Sequence, residues 1–295
     1  MKKKTSEVTT VTRGIEVELT SICSLNCEFC IKSYRTEFGN MDFDTFSKVV
    51  DFIKFLGCME VDISGVGDIF QNDSLYEFID HLFEKLPNID AVIPTKGQDV
   101  TMEDLKKIKS YNDKGYNITL MASVIYLTKW KFDKFVGRNQ YEKFVKFIDM
   151  LRDSGVNFSR EFVILKNNLD DFEKFKKLAE KIGKEYGTLL AYNFGGNLSD
   201  EIHKKYFDEE ILRDYFEYRS KEDVCEVMKY DHFFVDYKGD VYICANMGIN
   251  PDALLGNIND VYHDFNILLE RKQEFRKKYH DICNKCFFYK YKLHD

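Results

Sequence analysis

The 295-residue chain carries 43 lysine and arginine residues against 50 aspartate and glutamate residues, a net charge of −7 at pH 7. This acidic balance, with no dense basic block, gives no support for a nucleic-acid partner. No apolar run reaches about 18 residues, the length of a membrane span, and no signal peptide is visible. We therefore expect a cytoplasmic globular protein whose eight cysteines are metal ligands rather than disulfides.

Short apolar runs alternate with segments of helical period through the first two thirds of the chain. This alternation is typical of βα units around a parallel sheet, so an α/β fold is predicted. The predicted strands are 15–19, 60–64, 90–94, 117–123, 157–165 and 188–193. The predicted helices are 42–56, 73–85, 102–112, 141–154 and 169–186. Asp42 and Thr101 are the expected N-caps of the first and third helices.

Three cysteines follow the first predicted strand in the run Cys-Ser-Leu-Asn-Cys-Glu-Phe-Cys. Thiolates at Cys23, Cys27 and Cys30 can ligate three irons of a [4Fe–4S] cube and leave the fourth iron open. The alternative is a zinc knuckle, which usually needs four ligands, and no histidine lies within thirty residues of the trio. The spacing therefore favours an iron–sulfur site.

Small and polar residues end the next three predicted strands. Glycines allow a backbone to approach a ligand closely, and a carboxylate such as that of Asp68 can accept a hydrogen bond from an ammonium group. In a βα barrel the C-terminal ends of the strands share the face that carries the chemistry. We therefore expect the cysteine trio to lie near the candidate cofactor-binding residues Ser64, Gly65, Val66, Gly67, Asp68, Thr95 and Ser123.

A second set of cysteines lies near the C-terminus, where Cys225 and Cys244 are followed by the pair Cys283 and Cys286. The segment 233–243 between them predicts a β-hairpin, with Gly239 supplying a left-handed turn residue. A helical stretch follows near 264–278. Four thiolates suit either a zinc ion or a fully ligated iron–sulfur cluster, and their chemistry alone does not separate the two.

The first cysteine spacing resembles that of the radical S-adenosylmethionine (SAM) superfamily. The resemblance implies a partial (β/α)6 barrel over 14–205, after a tail at 1–13. It also implies that SAM chelates the open iron and that reductive cleavage releases a 5′-deoxyadenosyl radical, which abstracts a substrate hydrogen atom. By the same resemblance, Phe29 lies against the cluster and adenine, and the segment from Ser64 to Asp68 corresponds to the Gly-Gly-Glu segment that binds the amino group of SAM.

The late cysteines resemble the auxiliary-cluster module of twitch enzymes, a shorter relative of the SPASM module in this superfamily. The resemblance implies that residues 206–295 hold one auxiliary [4Fe–4S] cluster, ligated by Cys225, Cys244, Cys283 and Cys286. Cys58 is left over, between the first helix and the second strand, and we expect it on the face of the barrel away from the open iron. A free buried cysteine there behaves as a small apolar residue.

A fully ligated auxiliary cluster favours net oxidation of the substrate, because it can accept an electron after hydrogen abstraction. The leading hypothesis is oxidative maturation of a ribosomally made peptide, for example by a crosslink. The alternatives are a small-molecule alcohol dehydrogenase of aminocyclitol or other natural-product biosynthesis, and a peptide epimerase, for which Cys58 lies on the wrong face. Implied partners are a flavodoxin- or ferredoxin-type electron donor and a separate leader-peptide recognition protein. A non-catalytic metal-stabilised regulatory or electron-transfer protein is the hypothesis from a different class, and no catalytic residue is assigned beyond the cluster ligands.

Overall fold

The computed structural model describes residues 14–137, 139–182, 187–190, 198–207, 216–218, 225, 232–248, 250–278, 283–284, 286 and 291–293. Its strands are β1 Ile15–Val17, β2 Glu60–Asp62, β3 Asp90–Thr95, β4 Asn117–Val124, β5 Phe158–Ile164, β6 Gly187–Leu190, β7 Phe216–Tyr218, β8 Phe233–Val235, β9 Asp240–Tyr242, β10 Leu254–Asn257 and β11 Tyr291–Leu293. Its α-helices are α1 Phe43–Leu56, α2 Leu75–Lys85, α3 Met102–Asp113, α4 Lys129–Val136, α5 Tyr141–Ser154, α6 Leu169–Ile182, α7 Asp200–Tyr206, α8 Ile258–Val261 and α9 Asn266–Lys278. No helix in these ranges is both long and apolar enough to cross a membrane.

Within the described ranges, nine strands form one sheet in the order β10-β9-β8-β1-β2-β3-β4-β5-β6. Strands β1 to β6 are all parallel, and a helix or a helix pair links each to the next. The predicted α/β class with a parallel sheet is confirmed. Strands β7 and β11 form a separate antiparallel pair. The last residues of the predicted fifth helix, 183–186, lie outside the described residues. The last residues of the predicted sixth strand, 191–193, lie outside them as well.

The helix boundaries follow from local chemistry. The Asp42 carboxylate accepts the backbone N–H of Thr45 and begins α1, and Gly57 ends it at φ +67°, in the left-handed region that favours glycine. Thr101 and Asp104 form a reciprocal capping box at the start of α3. Both predicted N-caps are confirmed. Helix α4 was not predicted, because eight residues with three lysines give only a weak helical period.

The two faces of the parallel sheet differ in chemistry. Side chains such as Ile15 and Val61 are buried against the helices, whereas Glu16 and Asp62, register partners on β1 and β2, point to the other face and are partly exposed. Burial raises the pKa of Asp62 to about 8, and the charge of Glu161 on β5 adds to the rise. Six parallel strands with polar side chains on one face are typical of a partial barrel, and we call the space at this polar face the lumen.

The hairpin of the C-terminal part extends the barrel sheet. Strand β8 pairs in parallel with β1, and β9 and β10 continue the sheet with antiparallel pairs. Gly239 forms the turn at φ +84°, as predicted. The sheet thus runs across the boundary predicted at residue 205, and the division into barrel and twitch domain stays a prediction.

Candidate active site

The cysteine trio lies on a loop that follows β1 at the C-terminal edge of the parallel strands. The loop wraps around the Lys32 ammonium group, which donates hydrogen bonds to the carbonyls of Cys23 (2.6 Å) and Leu25 (3.0 Å). Cys30 caps a short 3₁₀ helix, Ile31–Tyr34, and its sulfur accepts the backbone N–H of Lys32 at 3.4 Å. A single lysine therefore orders the loop from its inside.

The loop is also hydrogen-bonded to the C-terminal end of helix α4. The backbone N–H groups of Asn26 and Glu28 donate to the carbonyls of Val136 and Phe135, both at 3.0 Å. These carbonyls belong to the last turn of a helix, where they lack partners within the helix. The unpredicted helix thus positions the cysteine loop.

Burial raises the pKa of all three thiols, and that of Cys27 reaches about 12. Cations oppose this effect. Lys96, in the loop after β3, lowers the pKa of both Cys27 and Cys30, and Lys32 lowers those of Cys23 and Cys30. Thiolates are the form that binds metal. The loop therefore offers three sulfur ligands in a cationic setting, which fits an anionic cluster.

The glycine segment after β2 packs against the backbone of the cysteine loop. A Cβ at Gly67 would lie 2.3 Å from the Thr20 carbonyl oxygen and 2.7 Å from that of Ile22. The Asp68 N–H donates to the Ile22 carbonyl at 2.9 Å, and the Val66 N–H donates to Glu18 Oε1 at 2.7 Å. Glycine is required at Gly67 because any side chain would push the cysteine loop away.

Glu18 contacts both this glycine segment and Arg35, which follows the cysteine trio in the sequence. Its carboxylate is fully buried, where burial raises its pKa, and it pairs with Arg35 at 2.6 Å. A Cβ at Gly65 would lie 2.5 Å from the Glu18 side chain, so Gly65 also lacks a side chain for steric reasons. The glycines of 64–68 therefore serve close packing of loops, whatever they contact in a bound cofactor.

Asp68 and Thr95 meet at the same edge. The Thr95 hydroxyl donates to Asp68 Oδ2 at 2.8 Å and accepts the Gly97 N–H at 2.9 Å. Burial raises the pKa of Asp68 to about 6, although the hydrogen bonds that its carboxylate accepts from Thr95 and from the Phe70 N–H act in the opposite direction. A buried carboxyl with a shifted pKa beside a cysteine loop is typical of functional sites.

Of the other predicted contacts, Phe29 and Ser123 lie apart from this group. The Phe29 ring packs edge-on against Phe135 (5.0 Å between centroids) and Tyr206 (5.7 Å). Ser123 faces the lumen on β4, beside its register partner Glu161. The structure thus places Phe29 in an aromatic cluster under the cysteine loop and Ser123 in the wall of the lumen.

The lumen carries ionisable side chains that were not predicted. Glu16, Asp62 and Glu161 point into it from three strands. Burial raises the pKa of Glu161, and Lys96 above it lowers that pKa. The sequence did hold a signal, because charged residues alternate with apolar ones in Ile-Glu-Val-Glu and Glu-Val-Asp, whereas a sheet buried on both faces reads as continuously apolar.

The second cysteine set is brought together as well. Burial raises the pKa of Cys244 well above the usual value, and the thiols of Cys286, Cys225 and Cys283 raise it further. Three of these residues are at most 6 % exposed, and the eight cysteines, all within the described residues, are free of disulfides. Four neighbouring thiols, three of them on buried residues, form a donor set suited to a metal centre.

A histidine–carboxylate pair lies between the lumen and this second set. His232 Nε2 is 3.0 Å from Glu16 Oε1, and Ser64 donates to the other Glu16 oxygen at 3.4 Å. The charge of Glu16 is among those that raise the pKa of Cys244. The pair therefore connects the glycine segment to the neighbourhood of the late cysteines.

The spacing of the thiols within each set is compatible with a cluster. Over the described parts of the chain, no three His, Cys, Asp or Glu side chains are arranged to hold one metal ion. In a [4Fe–4S] cluster each cysteine ligates a separate iron, so the thiols need not converge on one point. Cys58 belongs to neither set, because it is buried at the opposite end of the sheet, just before β2.

Comparisons with solved structures agree with this architecture. The chain superposes on BtrN in complex with AdoMet and 2-DOIA with a TM-score of 0.60 and 20 % identity, covering 94 % of this chain and 93 % of that one. It superposes on Streptococcus suis SuiB bound to the precursor peptide SuiA with a TM-score of 0.67 and 14 % identity, covering 95 % and 70 %. At these identities the likeness establishes the fold.

Sequence comparisons identify the family. The AdoMet-dependent heme synthase of Nitratidesulfovibrio vulgaris is 24 % identical over 211 residues, and the alignment covers 68 % of this chain. It spans only 55 % of that synthase. The family model of the Radical SAM superfamily matches residues 17–179, more than half of the chain and the whole of the cysteine and glycine loops. The chain therefore belongs to the Radical SAM superfamily, whose members use a [4Fe–4S] cluster and SAM.

Proposed function

We propose that this protein cleaves SAM reductively and oxidatively modifies a ribosomally made peptide. The observation that carries the proposal is the cysteine loop itself. The loop holds three thiols in a cationic setting at the reactive edge of a parallel barrel. Its Ile22 carbonyl accepts a hydrogen bond from the loop after β2, and its Ser24 hydroxyl donates one to Asp99 in the loop after β3. When bound, the cluster and SAM supply a 5′-deoxyadenosyl radical.

The residues of the chain divide this task. Cys23, Cys27 and Cys30 would hold the cluster, and Lys32 keeps their loop ordered. Asp68, held by Thr95, is the side chain on the glycine segment that can accept a hydrogen bond from the amino group of SAM. The other predicted cofactor contacts are Phe29, Ser64, Gly65, Val66, Gly67 and Ser123.

Oxidation of the substrate releases an electron and a proton besides the abstracted hydrogen atom. Cys225, Cys244, Cys283 and Cys286 would hold an auxiliary [4Fe–4S] cluster that can accept the electron. The His232–Glu16 pair is suited to take the proton, because an imidazole oriented by a carboxylate is a common general base. Its position beside Cys244 would bring both acceptors to one wall of the lumen.

The peptide substrate is supported by the likeness to SuiB with its precursor peptide. The likeness to BtrN, which matches nearly end to end, favours a second candidate, oxidation of a small-molecule alcohol. Peptide epimerisation finds less support, because Cys58, the one cysteine outside both sets, lies away from the lumen. The proposal includes a cytoplasmic location, a flavodoxin- or ferredoxin-type donor and a separate leader-recognition protein.

The test is anaerobic reconstitution with iron and sulfide, followed by dithionite and SAM. The parent protein should bind about eight irons and form 5′-deoxyadenosine. Cys27→Ala should lose about four irons and the cleavage of SAM. Cys225→Ala should lose about four irons, keep the cleavage and lose substrate oxidation.

Cys58→Ala is the matched control and should behave as the parent protein does. The absence of 5′-deoxyadenosine from the parent protein would overturn the enzymatic proposal and favour a regulatory or electron-transfer protein. About four irons with one zinc would instead overturn the auxiliary cluster.

A further inference from the structure

A cleft of about 200 Å³ lies beside the cysteine loop, between the chain that follows the 3₁₀ helix and the β8–β9 hairpin. We call it the hairpin cleft. Its volume equals that of about seven water molecules, so it suits one side chain rather than a nucleotide-sized ligand. Its walls are formed by Tyr34, Arg35, Thr36, Glu37, Asp236, Tyr237, Lys238, Asp240, Tyr242 and Gly248.

The two cations of the hairpin cleft already have carboxylate partners. Arg35 pairs with Glu18 at 2.6 Å, and Lys238 pairs with Glu37 at the rim. The carboxylates of Asp236 and Asp240 pair with no cation in the described part of the chain. Asp236 accepts backbone N–H groups of the turn, and Asp240 accepts the side-chain amide of Asn257 at 2.8 Å. The cleft therefore retains two uncompensated carboxylates.

Tyr242 supplies an independent indication of a ligand. The residue is only 9 % exposed and lines the cleft, and its hydroxyl makes no hydrogen bond to a described residue, so it is free to bond a group that enters the cleft. Burial and the nearby aspartates raise the pKa of this phenol, so it is neutral at physiological pH. A neutral phenol that faces a cleft can accept a hydrogen bond from a ligand there.

Aromatic rings complete the lining. Tyr34 is 42 % exposed at the mouth, and Tyr237 packs against Gly39, where a Cβ would lie 2.9 Å from its ring. Phenol rings and carboxylates together favour an organic cation, which they attract through ring quadrupoles and charge. An ammonium group also supplies the N–H donors that the Tyr242 oxygen lacks.

We propose that the hairpin cleft binds the ammonium or guanidinium group of a basic side chain in the peptide substrate. This inference rests on the proposed peptide substrate. Asp236 follows β8 at the same sheet edge where Glu18 follows β1, and Arg35 ends the 3₁₀ helix that Cys30 begins, so the cleft borders the cysteine loop. A ligand that fills both the cleft and the lumen must be elongated, as a peptide is.

The test measures binding of the capped peptide acetyl-Gly-Lys-Gly-amide to the reconstituted protein without SAM, by calorimetry. The norleucine and glutamate analogues replace the lysine ammonium with a methyl group and a carboxylate, and we expect each to bind at least tenfold more weakly. Tyr242→Phe and Asp240→Asn should each lower the affinity for the lysine peptide by about tenfold. This is the loss expected when one hydrogen bond to a charged group is removed. Tyr262→Phe, at an exposed tyrosine that follows α8, is the matched control and should leave binding unchanged.

Equal binding of the lysine and norleucine peptides would overturn the inference, as would full affinity in both Tyr242→Phe and Asp240→Asn. Cyclohexylamine distinguishes the source of the cation: if it binds in a Tyr242-dependent way and the peptide does not, the cleft serves a small amine and the peptide assignment is wrong. Because SAM is absent, these results do not depend on radical chemistry. If the protein failed to cleave SAM, the proposed function would be wrong, whereas the binding results for the cleft would be unaffected.

Discussion

Replacing Gly67 with alanine tests whether close packing of the glycine segment positions the cysteine loop. The added Cβ would lie 2.3 Å from the Thr20 carbonyl oxygen, about 1.1 Å short of ordinary van der Waals contact at 3.4 Å. The φ of Gly67 is outside the left-handed region, so the whole effect is steric. Because the contact atoms belong to the backbone, the loop before Cys23 must move by roughly 1 Å.

Two magnitudes follow from this displacement. Overpacking of this size costs about 1–3 kcal/mol of folding free energy. A shift of about 1 Å in a reactive geometry can lower a rate by about 100-fold. We therefore expect Gly67→Ala to lose about half of its iron on reconstitution and to form 5′-deoxyadenosine about 100-fold more slowly.

The matched control is Gly57→Ala, at the opposite end of the sheet. Gly57 has φ +67° and nothing within 4 Å of an added Cβ, so alanine there costs about 1–2 kcal/mol through backbone strain alone. Both variants should therefore lose similar stability in urea unfolding, and only Gly67→Ala should lose iron and SAM cleavage. Parent-like iron and cleavage in Gly67→Ala would refute the packing argument.

Three further predictions concern single side chains. Thr95→Val removes the donor to Asp68 and should weaken SAM binding about tenfold in equilibrium dialysis, with Thr119→Val on the lumen face of β4 as control; unchanged affinity would contradict a role for Asp68 in binding the cofactor. Lys32→Met removes three hydrogen bonds inside the cysteine loop and should lower the free energy of unfolding by about 2 kcal/mol, whereas Lys85→Met, in an exposed ion pair, should change it by less than about 0.5 kcal/mol. Asp62→Asn should stabilise the protein at high pH. Burial raises the pKa of the Asp62 carboxyl from its usual value of about 3.9 to about 8. The contribution of this carboxyl to the stability of the folded state is therefore complete below pH about 3.9 and is lost as the pH rises to about 8. Urea unfolding at pH 6 and 8.5 should show a gain that grows by about 1–2 kcal/mol, after allowance for the partial exposure of Asp62, and a gain equal at both pH values would count against the shift.

The parts of this molecule that sequence could predict are those encoded by neighbouring residues. The cysteine trio, the N-caps at Asp42 and Thr101 and the turn at Gly239 all depend on spacings of a few residues. The pairing of β8 with β1 joins segments more than two hundred residues apart, and no local pattern reports it. The packing role of Gly67 depends on the same kind of distant contact.

The charged residues around the site could not be predicted from the sequence for a related reason. Lys96 stands in an ordinary loop sequence, and only the fold brings it to Cys27 and Glu161. The unpaired hydroxyl of Tyr242 is equally invisible, because a tyrosine in an alternating strand usually signals packing. Sequence therefore predicts the ligands of the proposed clusters, and the structure supplies the electrostatic surroundings of those cysteines.

The pairing of β8 with β1 has a consequence for folding during synthesis. During synthesis on the ribosome, β1 emerges first, yet one of its edges stays unpaired until residue 235 has been translated. Bare strand edges invite association with other chains. A truncated product that stops near residue 205 would keep that edge open, and we expect it to precipitate where the longer chain remains dispersed.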